Sequence, residues 1–267
     1  MQNHEIDYRI LGEEMQCVEV ELDPQETAIA EAGSFMMMDQ DIQMETIFGD
    51  GSASSSGGGF MGKLMSAGKR LLTGESLFMT AFTNHGRGKQ RVSFAAPYPG
   101  KIIALDLQKL GGKIIAQKDS FLAAAKGVSV GIEFQRKLGT GLFGGEGFIM
   151  QKLEGDGMAF VHAGGHVIER QLQAGEVLRV DTGCIVAFTQ DVHYDIEFVK
   201  GVKNVIFGGE GMFYASLRGP GKVWIQTIPI SRLASRIVQY SGITGGGRKE
   251  EGSILGSLGN MIDGDGW

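Results

Sequence analysis

The 267-residue chain is long enough for one large domain or a few small ones, and 42% hydrophobic residues can fill a core. Its 25 Lys and Arg against 31 Asp and Glu leave a net charge of −6 and no extended basic face, which excludes nucleic acid as an expected partner. Glycine, at 43 residues against 5 prolines, suits many tight turns between short strands.

The N-terminal `MQNHEIDYRILGEE` has no basic start followed by an apolar run, and no stretch nears the ~18 apolar residues of a spanning helix. Cys17 and Cys184 lack metal-ligand spacing and do not form a disulfide framework. A soluble, cytoplasmic protein is expected.

The first predicted unit covers 5–97. Its strands follow Leu22 in `LDPQETAIAEAGSFMMMDQDIQMET`, where Ser34-Phe35 precedes Ile42 and Met44. An insertion, 47–73, begins with the Gly/Ser tether `GDGSASSSGGG`. It continues into `FMGKLMSAGKRLL`, whose Phe60, Met61, Leu64, Met65, Leu71 and Leu72 fall on helical spacing between Lys63, Lys69 and Arg70. This segment is expected to be a short amphipathic helix that packs on the fold or meets a protein partner or a membrane surface. The block `LTGESLFMTAFTNHGRGKQRVSFAA` then supplies two strands around a glycine-rich hairpin turn.

The same order returns twice. The second unit, 98–163, has `LQKLGGKIIAQKDSFLAAAKGVSVGIEF` and then `FGGEGFIMQKLEGDGMAFVHA`. The third, 164–229, has `LQAGEVLRVDTGCIVAFTQDVHYDIEF` and then `FGGEGMFYASLRGPGKVWIQT`. Ser120-Phe121 and Cys184-Ile185 stand where the first unit has Ser34-Phe35. Ser120 and Cys184 are 64 residues apart, as are Glu146 and Glu210. Two markers with one period indicate internal duplication. Glu75, Glu146 and Glu210 therefore read as beats of a repeated strand entry, not as catalytic acids. A C-terminal helix over 230–240, with Ser231 as its N-cap, and a glycine-rich tail, 241–267, complete the chain.

The ordered motifs `EVELDPQETAIAEAGSFMMM`, `LTGESLFMTAFT` and `FGGEGMF` resemble the altered-inheritance-of-mitochondria-type family over roughly 5–230. The resemblance implies tandem units similar to the β-sandwich subunit of the tryptophan RNA-binding attenuation protein. It further implies association as homotrimers that make a ring of repeated units. Eukaryotic relatives are linked to mitochondrial inner-membrane organisation; for bacterial members the resemblance carries no reaction and no catalytic residues. Likeness of fold to an RNA binder does not transfer its function.

Other patterns fail their structural requirements. `GTGLFG`, residues 139–144, matches a dinucleotide fingerprint, but a strand and turn follow where a helix is needed. `GGGFMGKL` carries Leu64 where a phosphate loop needs Ser or Thr. His162 and His166 are candidate metal ligands by their four-residue spacing, yet strand-like flanks hold them ~13 Å apart unless the intervening glycines reverse the chain. Cys184 reads as a small packing residue.

The expected fold is all-β: three tandem β-sandwich units plus short helices. Each unit alone has a marginal core, so the units bury sheets or edges against one another. No cofactor, metal or catalytic residue is expected. The leading function is a non-enzymatic oligomeric scaffold. The alternatives are a small-molecule binding module with sites between units or subunits, and an enzyme whose site is gathered at an interface.

Overall fold

The computed structural model describes residues 5–31, 33–48, 78–136, 148–198 and 213–241. The glutamates Glu75, Glu146 and Glu210 lie outside them. So do the candidate helix Phe60–Leu72, both glycine-motif matches and the tail. The chain forms two units, Met1–Pro229 and Ile230–Trp267.

The first unit is all-β. Its described strands run β1 Asp7–Leu11, β2 Cys17–Leu22, β3 Thr27–Glu31, β4 Phe35–Met38, β5 Ile42–Phe48, β6 Phe78–Asn84 and β7 Gln90–Ala95. Then come β8 Gly100–Asp106, β9 Lys113–Gln117, β10 Phe121–Ala125, β11 Ser129–Arg136, β12 Phe148–Glu154 and β13 Met158–Gly164. The last are β14 Val167–Leu172, β15 Val177–Asp181, β16 Ile185–Thr189, β17 His193–Phe198, β18 Phe213–Arg218 and β19 Gly221–Gln226.

They form four antiparallel sheets. Sheet A is ordered β1-β2-β7-β4, sheet B β5-β6-β3-β10-β13-β8, sheet C β11-β12-β9-β16-β19-β14, and sheet D β15-β18-β17. Period-two alternation decides how they stack. In β3, Ala28 and Ala30 join one buried cluster with Val20, Phe94 and Phe160, while Ile29 joins another with Leu105 and Val161. In β9, Ile114 and Ala116 belong to that second cluster, and Ile115 faces a third with Phe188 and Leu217. The cores thus lie between A and B, B and C, and C and D. Sheets B and C are covered on both faces, which is why β10, `FLAAA`, and β16, `IVAFT`, are apolar at nearly every position.

Sheet A instead has an outer face written into `CVEVEL`. Val18, Val20 and Leu22 point inward, and Glu19 and Glu21 meet cations from neighbouring strands. Arg9 donates to Glu19 at 2.8 Å, Arg91 donates to Glu21 at 3.0 Å, and Lys89 pairs with Glu21 at 2.8 Å. Lys89, and then Arg91, hold the Glu21 carboxyl below the usual carboxylate range.

The hairpin turn expected from `NHGRGK` joins β6 to β7. Asn84 is fully buried there and uses its whole amide. Its Nδ2 donates to the Leu22 and Gly88 carbonyls, and its Oδ1 accepts the Gly86 N–H. Burying an amide at no loss requires that completeness.

The second unit contains α1, Ile230–Ser241, close to the expected 230–240. Ser231, expected as the N-cap, lies inside the first turn. Pro229 immediately precedes α1, and the helix begins at Ile230, so Ser231 is its second residue and not its cap.

Candidate functional site

Sheet A ends in a strand that departs from the rest of the fold. β4 pairs with β7 on one side, and no described strand lies on the other. All four of its residues are large, apolar and open to solvent: Phe35 40%, Met36 52%, Met37 48% and Met38 38% exposed. Successive strand residues point to opposite faces, so β4 is apolar on both faces, beside a backbone edge that no described strand pairs. Protein edges are ordinarily blunted by charge, proline or brevity, because unpaired N–H and C=O groups recruit other strands. Here charge sits on β2 and β7 of the same sheet, while β4 has none. Flexible thioethers are well suited to fitting a partner surface.

A second feature is a buried histidine on β13. His162 is 1% exposed, lies opposite Ile102 of β8, and meets the Tyr98 ring edge-to-face at 4.4 Å between centroids. Gly100 backs it so closely that a Cβ there would come within 2.8 Å of Nε2. Neither ring nitrogen makes a well-formed hydrogen bond. Desolvation pushes the imidazole pKa from 6.5 to about 4, and the nearby Tyr98 backbone acts weakly in the opposite direction. The same burial, with Asp119 and Glu31 adding like charge, lifts Tyr98 to about 12. Glu31 is raised to about 7, first by desolvation and then by Asp119.

The proton linkage of His162 has a definite sign. The folded chain holds the ring neutral, while the unfolded chain protonates it near pH 6.5. Between pH 6.5 and 4 the unfolded state therefore binds more protons, and stability falls as pH drops through that window. For this group the loss amounts to about 3 kcal/mol. Urea unfolding at pH 7 and pH 4.5 should show a smaller acid loss for His162→Gln than for the native chain. Equal losses would contradict the assignment.

The overall match to known proteins agrees with the architecture. Residues 8–228 match the family model described as Mitochondrial biogenesis AIM24. The chain belongs to that family. An uncharacterized relative from Streptococcus pyogenes serotype M6 is 29% identical over 227 residues, covering 84% of this chain and 86% of the relative. A crystal structure of another S. pyogenes protein is 24% identical with a TM-score of 0.69, covering 88% of this chain and all of that one. That likeness speaks for the fold.

Within this AIM24-family fold the sequence-derived candidates separate. His162 points into the core, whereas His166 lies beyond the Gly164-Gly165 turn and is exposed. The turn does not gather them around a shared point with a third ligand: among the described residues no three His, Cys, Asp or Glu side chains could hold one metal ion. Cys184 is half-buried against the third core and Cys17 is also half-buried; neither is disulfide-bonded. No described helix is long and apolar enough to cross a membrane. The β4 edge escaped sequence reasoning because `FMMM` is no more apolar than `FLAAA` or `IVAFT`.

Proposed function

We propose that this AIM24-family chain is a non-enzymatic assembly protein, a homotrimeric cytoplasmic scaffold that acts through the surface its oligomer presents. The observation that carries the reading is β4: four exposed apolar residues on a sheet edge with no described strand beside it. The described residues leave this strand in water at a cost in free energy, and association would remove both the apolar surface and the open backbone edge. Closed cyclic symmetry satisfies every copy with one interface type. The segment Phe60–Leu72 is the candidate contact for a further protein or a membrane surface.

Native mass spectrometry of the purified full chain tests the reading. A species at three times the 28.6 kDa chain mass is expected. A monomer across the micromolar range would overturn it. One observation supports a second reading, a small-molecule module: the unpaired ring nitrogens of His162 beside Tyr98 and Gly100. A trimer carrying a discrete extra mass would favour that module over a plain scaffold.

A further inference from the structure

The two central sheets share one construction. In B, the half β5-β6-β3 meets the half β10-β13-β8 along a β3–β10 seam; in C, β11-β12-β9 meets β16-β19-β14 along a β9–β16 seam. Sheet D is the first half alone, β17-β18-β15, and sheet A is the second half alone, β4-β7-β2, with β1 added. The correspondence extends to ladder detail. β10 against β13, β16 against β19 and β4 against β7 each slip register at the same point, after Phe121, Ile185 and Phe35. β15 has no described strand on the side where β3 holds β10 and β9 holds β16.

Resting on the assembly reading above, we propose that β4 of one copy pairs antiparallel with β15 of a second copy, completing a sheet of the B and C kind across the subunit boundary. A and D are the first and last sheets of the stack, so the join is head-to-tail. The internal seams fix its register. Ala123 and Ala124 lie opposite Ala30 and Ile29; Ala187 and Phe188 lie opposite Ala116 and Ile115. Spacings of 86 and 64 residues relate the three places, as Ser34, Ser120 and Cys184 show. Met37 then faces Val180 and Met38 faces Arg179 of the second copy.

Burial is consistent with this pairing. Ala123, Ala124, Ala187 and Phe188 are all fully buried in their seams, whereas Met37 and Met38 are open. On the other side of the proposed seam Val177 is 45% exposed, while of its two counterparts Thr27 is 1% exposed and Lys113 is half-buried. The seam also differs from the internal ones in one respect. Arg179, held over the Tyr214 ring at 5.6 Å, stands where they have Ile29 and Ile115. A charge at that place makes the intersubunit seam the weakest of the three and the one that separates reversibly.

Cysteine pairing tests the register. In a full chain carrying Cys17→Ser and Cys184→Ser, Met38→Cys with Arg179→Cys places both thiols on exposed residues, so folding of the single chain is spared. Directly opposed strand residues fall within disulfide reach, and residues two positions off do not. Oxidation is expected to give covalent dimers and trimers for this pair, and at least tenfold less for Met38→Cys with Val177→Cys. A native trimer that gives no 38–179 product would overturn the β4–β15 pairing and leave the assembly reading standing. Covalent dimers from Met38→Cys alone would mean β4 pairs with itself and would also overturn the proposal. A native monomer would overturn both.

Discussion

Met37→Asp should leave the single chain folded and abolish its assembly. Met37 is half-open in the isolated chain, so a carboxylate there keeps its water. In the proposed seam its counterparts Ala123 and Ala187 have no solvent contact, and an aspartate would be buried with no partner. A buried charge without a partner costs about 3–5 kcal/mol, which corresponds to a dissociation constant raised at least ~100-fold. Sedimentation equilibrium measures it, with far-ultraviolet dichroism to confirm the fold. Met15→Asp is the control, since Met15 is 66% exposed and lies outside the named strands. A native-sized assembly of Met37→Asp would remove β4 from the interface.

The largest effect on the fold itself is expected at Gly164. It closes β13 opposite Gly100, and its N–H donates to the buried Gln226 Oε1 at 2.8 Å. Gln226 in turn donates through Nε2 to the Gly183 carbonyl at 2.8 Å. A Cβ on Gly164 would overlap the Ile228 carbonyl oxygen and come within 2.8 Å of the Tyr98 ring. Because the nearest obstacle is backbone, it cannot swing aside as a flexible side chain does. Overpacking of this kind costs ~3 kcal/mol or more, so Gly164→Ala should melt roughly 6–12 °C below the native chain. Gly88→Ala should stay within about 0.5 kcal/mol, because nothing lies within 4 Å of its added Cβ. Equal melting of the two variants would show that the β13 end yields more readily than its packing indicates.

Much of the architecture was readable from local chemistry. The alternation of `CVEVEL` is the period-two pattern of a half-buried strand, and β2 has that form with its glutamates outward. The `NHGRGK` punctuation gave a hairpin, and Asn84 ties it down. The small-then-bulky pairs Ser34-Phe35, Ser120-Phe121 and Cys184-Ile185 all sit at the start of a strand whose ladder then slips by one residue. A slip of that kind demands similar residues wherever it occurs, so it leaves a repeated mark in the sequence.

The β4 edge was not readable, for a physical reason. A strand awaiting a partner and a strand already covered on both sides need the same apolar residues. `FMMM` and `IVAFT` differ in what lies beside them, and hydropathy does not encode neighbours. The histidine pair failed differently. Four-residue spacing does not reveal that one ring is sealed behind Gly100 while the next lies past a glycine turn in solvent. The family match was legible from ordered motifs because many positions contribute at once, but a shared fold leaves the chemistry unassigned.

Hydrogen exchange at the backbone of Phe35–Met38 and Val177–Asp181, followed across a dilution series, reads the β4–β15 pairing itself. Edge amides exchange freely unless a second strand accepts their hydrogen bonds. Slow exchange is expected in both segments while the chain is assembled. Protection should then be lost from the two together as dilution separates the copies, with β3 and β10 unchanged. Rapid exchange in both segments, at concentrations where the assembly is intact, would contradict it.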